Sequence, residues 1–527
     1  MNAPAPRNVD QTVARLAGIF EAARQNQTPR AALLVTPDPD AGVAAMREVA
    51  GAVQVPLHVF SMANRRILRP GTDAFESVAG PTADPVDLLR AAGDASGPAL
   101  ILFQDALRFV GDAAGDHRTR AVLLQMVSAN NRRAHLYVFG EPPEGESQVP
   151  SFARALIARI VKPLPCGHEL LVIAREELAI AAARAGKMLG AESLVAWAAR
   201  FAAELPGLSH AAARAGMQDV LSGTFDLDAA VRTLASRKAE QLQAQLAMQV
   251  LQSAADAPVG MERFYEWLRV YAHQMCVPGP DRVKGAVLLG PPGTGKTKLG
   301  AYTAHHLGVP GVWFRFGALL GMYVGQSEAA AERAFSVLDA LGANSEAGHE
   351  RGVVIVLDEL EKTIGRSDND GGVSMRVTAR MLTWMSESRA PNMMLATAND
   401  LESMGELADI ITRRGRLDRI FFVDVPNRRG RRTLIERLLS GADTTGTVDL
   451  DELASRSERF SGADIEGVVR DARAEARDAK RGVTMADLCE QIRRSRVRVL
   501  ARYERFNRVR EWARLNAEMA GEDDENE

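Results

Sequence analysis

A glycine-rich turn between an apolar run and a helix-forming segment constrains this chain more than any other feature. The turn reads Gly-Pro-Pro-Gly-Thr-Gly-Lys-Thr over residues 290–297. It follows the apolar run Val287–Leu289 and opens a segment that predicts a helix to about Leu307. Glycine adopts backbone conformations that clash for other residues, so such a turn can curl until its N–H groups point inward. Strand, loop and helix in this order are typical of a phosphate-binding loop.

The turn therefore predicts a nucleotide site. Lys296 can reach the β- and γ-phosphates, and the hydroxyl of Thr297 can ligate Mg²⁺. The helix N-terminus adds positive potential for the phosphates. A turn without function is the alternative, and the flanking strand and helix disfavour it. The loop residues that we predict to line this site are Gly290, Pro291, Pro292, Gly293, Thr294, Gly295, Lys296, Thr297 and Lys298.

Composition limits the class of protein. The 527 residues are 46% hydrophobic and 25% charged, which indicates a globular protein of three or four domains. The net charge of −3 gives no overall field that would recruit nucleic acid or an anionic membrane. Cys166, Cys276 and Cys489 lack the spacing of a metal or redox site. The first ten residues lack the pattern of a secretory signal, and no apolar run is long enough to cross a bilayer. We therefore expect a cytoplasmic protein.

Residues 30–165 alternate short apolar strands with helices, after a leader at 1–29. This order predicts a mostly parallel sheet covered by helices. The first turn, residues 36–40, reads Thr-Pro-Asp-Pro-Asp, so two prolines remove N–H donors and two carboxylates would repel phosphate. We interpret this part as a nucleotide-type fold without nucleotide chemistry; another α/β domain is the alternative. Strands are predicted at Ala31–Thr36, Pro56–Ser61, Ala99–Phe103, Ala134–Phe139 and Ile157–Val161.

The following segment, to residue 255, is rich in alanine and predicts helices, with breaks near Pro206-Gly207 and Ser222-Gly223. In 235–252, Leu242, Leu246 and Val250 lie four residues apart. This spacing favours a packed lid or linker helix, and a coiled-coil partner site is the alternative. The stretch that begins at Asp256 is interpreted as a hinge.

Two acids follow a second apolar strand. Val353–Leu357 predicts a strand buried on both faces, and Asp358 and Glu359 come at its carboxyl end, where open α/β sheets bind ligands. Asp358 suits coordination of Mg²⁺, and Glu359 suits activation of an attacking water. A structural ion pair is the alternative. The pairing of these acids with Lys296 disfavours it.

Two further features fit the same chemistry. The apolar strand Met393–Ala396 is followed by Asn399, whose amide can orient a water between the γ-phosphate and Glu359. Asparagine is also a common turn former, so this signal alone is ambiguous. Arg413 and Arg416 are spaced three apart in a loop, and such arginines can stabilise a phosphoryl group in transfer. A solvated basic loop is the alternative.

Together with Ser461-Gly462-Ala463-Asp464, these motifs resemble the AAA ATPases over about residues 257–480. They are most similar to the protein unfoldases and complex-disassembly machines of that family. The resemblance implies Mg²⁺-dependent hydrolysis of ATP, a protein client, and a ring of subunits that is usually a hexamer. It implies that Arg413 and Arg416 act on ATP held by the neighbouring subunit. It also places Val259, Gly260, Gly462 and Ala463 beside the adenosine.

The resemblance extends to the segment Tyr323-Val324-Gly325, which is similar to the family's pore loop. An aromatic residue on a glycine-hinged loop can grip an extended polypeptide without sequence specificity. A core tyrosine is the alternative. The residues around Asp358 and Trp384 resemble a narrower AAA group, first described as a hypothetical chloroplast reading frame, whose N-terminal half is an inactive ATPase-like domain. Two positions depart from the common pattern, Asp400 where many relatives carry arginine and Glu361 where aspartate is common.

The expected fold is thus an α/β P-loop AAA+ module with a small helical lid, preceded by a degenerate ATPase-like α/β domain and a helical segment. An arginine-rich helix is predicted over 491–515. It is interpreted as docked; nucleic-acid or membrane contact is the alternative. The other functions left open are a nucleic-acid remodelling or loading ATPase and a nucleotide-gated scaffold. The predicted domains are 1–29, 30–165, 166–255, 256–440 for the large ATPase subdomain, 441–498 for the lid, and 499–527 for the C-terminal helix and acidic tail.

Overall fold

The chain folds into two compact units in a computed structural model, Met1–Leu234 and Ala235–Glu527. The domain boundaries predicted above stay predictions. The structure describes residues 11–61, 66–69, 76–77, 97–107, 121, 134–142, 157–165, 167–223, 225–252, 254–275, 283–319, 326–343, 345–346, 349–350, 352–363, 373–413 and 415–522.

In the described part of the N-terminal unit, seven strands form one sheet. Two of them, Arg30–Val35 and Ala99–Gln104, consist largely of continuous buried apolar residues, as expected of strands covered on both faces. All five strands predicted from the sequence are confirmed, with ends that differ by at most a few residues. The strands are β1 (Arg30–Val35), β2 (Leu57–Ser61), β3 (Arg66–Leu68), β4 (Glu76–Ser77), β5 (Ala99–Gln104), β6 (His135–Glu141) and β7 (Ile157–Val161), in the spatial order β4-β3-β2-β5-β6-β1-β7.

Two described helices cover this sheet, α1 (Gln11–Asn26) and α2 (Pro39–Val53). Leu16 and Phe20 of α1 and Met46 of α2 are fully buried in one apolar cluster with the strands. Four helices follow and pack around a separate apolar cluster. They begin and end close to the predicted breaks and are α3 (Gly167–Arg184), α4 (Ala191–Glu204), α5 (His210–Leu221) and α6 (Leu227–Leu246).

Asp38 connects the sheet side of this unit to the helices that follow it. Its carboxylate caps α2 by accepting hydrogen bonds from the N–H groups of Asp40 and Ala41. Its second oxygen accepts the N–H of His210 at 2.5 Å, at the start of α5, and lies 3.2 Å from the His210 Nδ1. Burial alone would raise the pKa of Asp38, but the hydrogen bonds from His210 and Ala41 outweigh it and lower the pKa. A carboxylate therefore occupies the turn after β1.

Asp38→Ala is expected to lower the free energy of unfolding of the N-terminal unit by about 2 kcal/mol, because it removes a helix cap and leaves a buried N–H unsatisfied. The control is Asp40→Ala, which removes an exposed carboxylate from the same turn and should cost less than about 1 kcal/mol. Native-state hydrogen exchange of the α2 amides measures both. Equal losses in the two variants would contradict the structural role of Asp38.

The described C-terminal unit also contains a seven-stranded sheet, with a separate two-stranded hairpin. All strands of the large sheet pair in parallel except the edge strand β8. The strands are β8 (Met248–Val250), β9 (Gly285–Leu289), β10 (Gly311–Phe314), β11 (Ser345–Glu346), β12 (His349–Glu350), β13 (Val353–Leu357), β14 (Asn392–Ala398), β15 (Arg419–Phe422) and β16 (Glu518–Met519), and the large sheet has the order β16-β15-β9-β14-β13-β10-β8.

Helices flank this sheet and then form a small helical domain after β15. The apolar core of the sheet includes Phe264, Trp267 and Phe421, which form an aromatic cluster. Phe264 and Phe421 pack edge to face, and Trp267 is tilted against both rings. The helices are α7 (Glu262–Met275), α8 (Lys296–Leu307), α9 (Phe316–Leu319), α10 (Gln326–Gly342), α11 (Leu360–Thr363), α12 (Val373–Glu387), α13 (Glu406–Ile411), α14 (Arg428–Leu439), α15 (Leu450–Arg456), α16 (Gly462–Asp478), α17 (Met485–Arg505) and α18 (Asn507–Asn516).

The two units share one strand order. Counted along the described chain, the first five parallel strands of each unit lie in the order fifth, first, fourth, third and second: β7-β1-β6-β5-β2 in one and β15-β9-β14-β13-β10 in the other. In each unit, helices follow the parallel strands, and the third of these helices begins after a capping serine. These helices are α5, capped by Ser209, and α16, capped by Ser461. The expected α/β fold class, with largely parallel sheets flanked by helices, is confirmed. The ATPase-like character of the N-terminal unit stays a prediction.

Two expectations about helices are wrong. The helix that the spacing of Leu242, Leu246 and Val250 predicts through 252 ends at Leu246; Ala247 adopts a left-handed conformation and β8 follows. Val250 pairs with Val312 of β10, so tertiary strand pairing overrides the helical period. The helix predicted over 491–515 is two helices, α17 and α18, separated at Phe506. None of the described helices combines the length and the apolar character needed to cross a bilayer.

Candidate nucleotide site

The loop after β9 depends on glycine at each turn. A Cβ atom at Gly290 would lie 2.1 Å from the carbonyl oxygen of Val423, so no larger residue fits against the neighbouring strand end. Gly293 and Gly295 have φ values of 86° and 95°, which favour glycine. A Cβ atom at Gly293 would also lie 3.0 Å from the side chain of Ala463. The loop thus approaches both the sheet and the helical domain.

Lys296 lies at the first position of α8 and is buried. Its ammonium donates to the carbonyl oxygens of Gly290 and Pro291, at 2.6 and 2.7 Å, and to the Oδ1 of Asn399 at 3.2 Å. Burial lowers the pKa of Lys296 to about 8, although the carboxylates of Glu361, Asp358 and Glu359 raise it. Lys296 is therefore cationic at neutral pH and held at the mouth of the loop.

Asp358 and Glu359 follow β13 and are held by Thr397 of the adjacent strand. The Thr397 hydroxyl donates to the Asp358 carboxylate at 2.6 Å and accepts the Glu359 N–H at 3.0 Å. Glu359 has a φ of 51°, so the chain turns sharply directly after the first acid. We did not predict a role for Thr397 from the sequence. The only signal in the sequence was a polar residue between two alanines in an apolar strand.

Asn399 follows β14 and links Lys296 to Glu361. Its Nδ2 donates to the Glu361 Oε1 at 2.8 Å, and its backbone N–H donates to the same oxygen at 3.1 Å. Its Oδ1 accepts from Lys296. Because a carboxylate can only accept and an ammonium can only donate, these two neighbours fix which way the amide faces.

The helical domain closes one side of the loop through the start of α16. The N–H of Ala463 donates to the carbonyl oxygen of Gly293 at 3.0 Å, and Gly462 lies beside that carbonyl. Ser461 and Asp464 form a reciprocal capping box at this helix start. Asp464 is also paired with Arg502 of α17 at 3.1 Å. The predicted Gly-Ala-Asp motif therefore lies against the phosphate loop.

The segment before α7 forms another wall. Pro258 accepts a 2.5 Å hydrogen bond from the Tyr265 hydroxyl, and Ala257 accepts one from Arg437 at 2.7 Å. Burial raises the pKa of the Tyr265 hydroxyl. Val259 lines the same cleft, whereas Gly260 lies in a neighbouring cleft together with Gly521. Tyr265 and Arg437 are positioning contacts that the sequence did not reveal.

These walls surround a cleft of about 610 Å³, a volume typical of small-molecule sites. It lies at the carboxyl ends of β9, β13 and β14, where open α/β sheets bind ligands. The predicted residues that line it are Pro292, Gly293, Thr294, Gly295, Lys296, Thr297, Lys298, Asp358, Glu359, Asn399, Val259, Gly462 and Ala463.

The comparison with known families agrees with this geometry. Residues 286–425 match the family described as "ATPase family associated with various cellular activities (AAA)", and residues 447–490 match the AAA+ lid domain. This chain carries an AAA ATPase domain and its lid. The family resemblance drawn from the sequence motifs is confirmed.

Individual relatives match over part of their length. The chain is 29% identical over 262 residues to the uncharacterized AAA domain-containing protein ycf46 of Pyropia yezoensis, covering 48% of this chain and 51% of that protein. It is 28% identical over 234 residues to the ycf46 protein of Guillardia theta, covering 44% of each. The vesicular-fusion protein sec18 of Schizosaccharomyces pombe is 31% identical over 236 residues, covering 41% of this chain and 29% of that protein. The chain thus spans about half the length of the ycf46 relatives it matches.

The donor set of the AAA domain fits Mg²⁺. Thr297 and Asp358 offer a hydroxyl and a carboxylate oxygen to the same cleft, and Thr397 holds the carboxylate in place. Mg²⁺ binds through few protein oxygens and keeps several waters or phosphate oxygens. Among the residues that the structure describes, no three His, Cys, Asp or Glu side chains form a metal cluster. Mg²⁺ does not require a site in which every ligand comes from the protein. Thr297 and Asp358 stay the predicted ligands.

Arg413 and Arg416 lie in the loop between α13 and β15, and neither is among the described residues that line the cleft of the AAA domain. Arg416 is held by the Ser386 hydroxyl at 3.0 Å and the Ile410 carbonyl at 2.7 Å. Burial, and to a smaller extent Arg413, lowers the pKa of Arg416. Arg413 is exposed. The predicted pore-loop residues Tyr323, Val324 and Gly325 lie outside the described residues.

Proposed function

We propose that this protein binds and hydrolyses ATP with Mg²⁺ and uses the resulting changes of shape to remodel a protein client. The observation that carries the proposal is that Lys296, Asp358, Glu359 and Asn399 meet in one cleft of the AAA domain. They come from three neighbouring strand ends, and the lid residues Gly462 and Ala463 border the same cleft. ATP and Mg²⁺ are the cofactors that this set of groups fits.

Each group has a role in the proposal. The loop N–H groups and Lys296 bind the phosphates, and Thr297 and Asp358 would hold Mg²⁺, which neutralises phosphate charge when bound. Glu359 accepts the proton of the attacking water, and Asn399 orients that water. Thr397 keeps Asp358 and the backbone of Glu359 in place.

We propose a homo-oligomeric ring, with a hexamer as the expected size. Arg413 is exposed and lies outside the cleft of its own subunit, which supports action on ATP held by the neighbour. The N-terminal unit would recognise the client or regulate the motor, since a carboxylate occupies the turn where a phosphate loop would lie. The widely spaced cysteines suit a reducing compartment, so the proposal includes a cytoplasmic location.

The contacts of the C-terminal helices disfavour nucleic acid as the partner. Five of the nine arginines of α17 and α18 are paired with carboxylates: Arg493 and Arg494 with Glu490, Arg502 with Asp464, Arg508 with Glu402, and Arg510 with Asp424. These pairs reduce the positive charge available to a nucleic-acid backbone.

The proposal is tested with the purified full chain. We expect ATP hydrolysis that requires Mg²⁺, stops on addition of EDTA and rises with an unfolded polypeptide but not with DNA or RNA. Affinity capture in ATP, with a variant that binds but does not hydrolyse it, should retain a protein client. Absence of ATP binding and turnover under all assembly conditions would overturn the proposal. Stimulation by nucleic acid alone would overturn the protein-client part.

A further inference from the structure

Glu361 is a half-buried acid that contacts a cleft residue, Asn399, and that the proposed chemistry does not use. It lies in α11, two residues after the sharp turn at Glu359, and its Oε1 accepts both the backbone N–H and the side-chain Nδ2 of Asn399. Its Oε2 is buried, and no hydrogen-bond partner for it is found in the described structure. A buried oxygen without a partner costs stability, so this residue needs an explanation beyond packing.

The contact between Glu361 and Asn399 uses only one of the two N–H groups of the Asn399 side-chain amide. The Asn399 Nδ2 carries two N–H groups, and Glu361 accepts one of them. The amide is planar, so fixing one N–H and the Oδ1, which faces Lys296, also fixes the direction of the second N–H. Asn399 itself lines the cleft. Rotation of the amide would lose hydrogen bonds to two charged groups at once.

We infer that Glu361 is a positioning residue that holds the Asn399 amide in the orientation needed to act on the γ-phosphate or the attacking water. This inference rests on the proposed ATP hydrolysis and adds the group that orients one of its residues. The Glu361 side chain acts only through Asn399. Position 361 is therefore expected to affect the hydrolytic step more than ATP binding.

Glu361→Ala is expected to lower kcat by about 10- to 100-fold, as loss of an orienting partner typically does. KM should stay within about threefold, because the loop and Lys296 still bind the phosphates. Glu361→Gln keeps a side chain of the same length, and its amide oxygen can accept the same two N–H groups of Asn399. It should therefore retain kcat within about fivefold. Thermal unfolding of each variant shows whether it is folded.

The double variant decides whether Glu361 acts through Asn399. If it does, Glu361→Ala combined with Asn399→Ala should be no slower than Asn399→Ala alone. Independent, multiplying losses would overturn the inference, as would an unchanged kcat in Glu361→Ala. Should the alanine variant not fold, Glu361→Asp carries the test. It keeps the charge but withdraws the carboxylate by one methylene, and it should show a reduced kcat with an unchanged KM.

The same experiment separates this inference from the proposed function. Turnover by the unmodified protein together with normal turnover by Glu361→Ala would refute only the role of Glu361. Absence of turnover in the unmodified protein would refute the proposed function, and the inference with it.

Discussion

Glu359→Gln is expected to lower ATP turnover by about 10²- to 10⁴-fold, the usual contribution of a general base. Glutamine keeps the size of the side chain and can still contact a water, but it cannot accept the proton. The backbone N–H of residue 359 would still donate to Thr397, so the turn after β13 should keep its shape. ATP binding should therefore persist, and assembled rings should be held in the ATP-bound form.

Two measurements check this prediction. Single-turnover hydrolysis gives the rate of the chemical step, and equilibrium binding of ATP gives the affinity. The matched control is Glu402→Gln, an exposed glutamate paired with Arg508 and absent from the residues that line the cleft. It should hydrolyse ATP at the normal rate. Normal turnover by Glu359→Gln would remove Glu359 from the proposed role, whereas a loss of ATP binding would show that the carboxylate has a structural function.

The sequence predicts those cleft residues that belong to short motifs of neighbouring residues. A glycine loop after an apolar strand and two acids after another are recognisable within a few residues each. The order of strands then brings these loops to the same edge of the sheet, because parallel strands share their carboxyl ends. Lys296, Asp358 and Asn399 therefore meet as the pattern suggests.

Contacts between distant segments could not be predicted in the same way. The bond between Asp38 and His210 joins residues 172 positions apart, and only the fold brings them together. Thr397 and Glu361 also act through neighbours on another element, and their local sequence does not show which groups they contact. Hydrophobic periodicity failed at Val250 for a related reason. The pairing of β8 with β10 decides the conformation of Val250. The spacing of apolar residues along the sequence carries no information about the energy of this strand pairing.

The common strand order of the two units allows the turns after their first strands to be compared. In the C-terminal unit the start of α16 lies against the glycine loop, with the Ala463 N–H bonded to Gly293. In the N-terminal unit the start of α5 lies against the turn after β1, and His210 binds Asp38 there. A side-chain carboxylate thus accepts N–H groups at the starts of two helices, α2 and α5, where an anionic ligand would otherwise be attracted.

Arg413→Ala is expected to lower ATP turnover by about 10³- to 10⁵-fold, the usual effect of removing an arginine finger. The reason is that Arg413 would stabilise the charge of a phosphoryl group bound in the neighbouring subunit. ATP binding by the variant should be close to normal, because the arginine lies outside the cleft of its own chain. Arg470→Ala, which removes an exposed lid arginine paired with the adjacent Asp471, is the control and should retain turnover.

Mixing two inactive variants tests action between subunits. Arg413→Ala has an intact Glu359, and Glu359→Gln has an intact Arg413, so a mixed ring contains some interfaces at which both groups are present. Turnover should therefore reappear on mixing and rise with the proportion of such interfaces. If both residues act within one subunit, no mixture can restore an intact site, and turnover stays at the level of the separate variants. Failure of rescue in rings shown to contain both chains would refute action between subunits, although Glu359 could still be the base. Rescue would also show that the active form contains at least two subunits, because neither chain alone then holds a complete site.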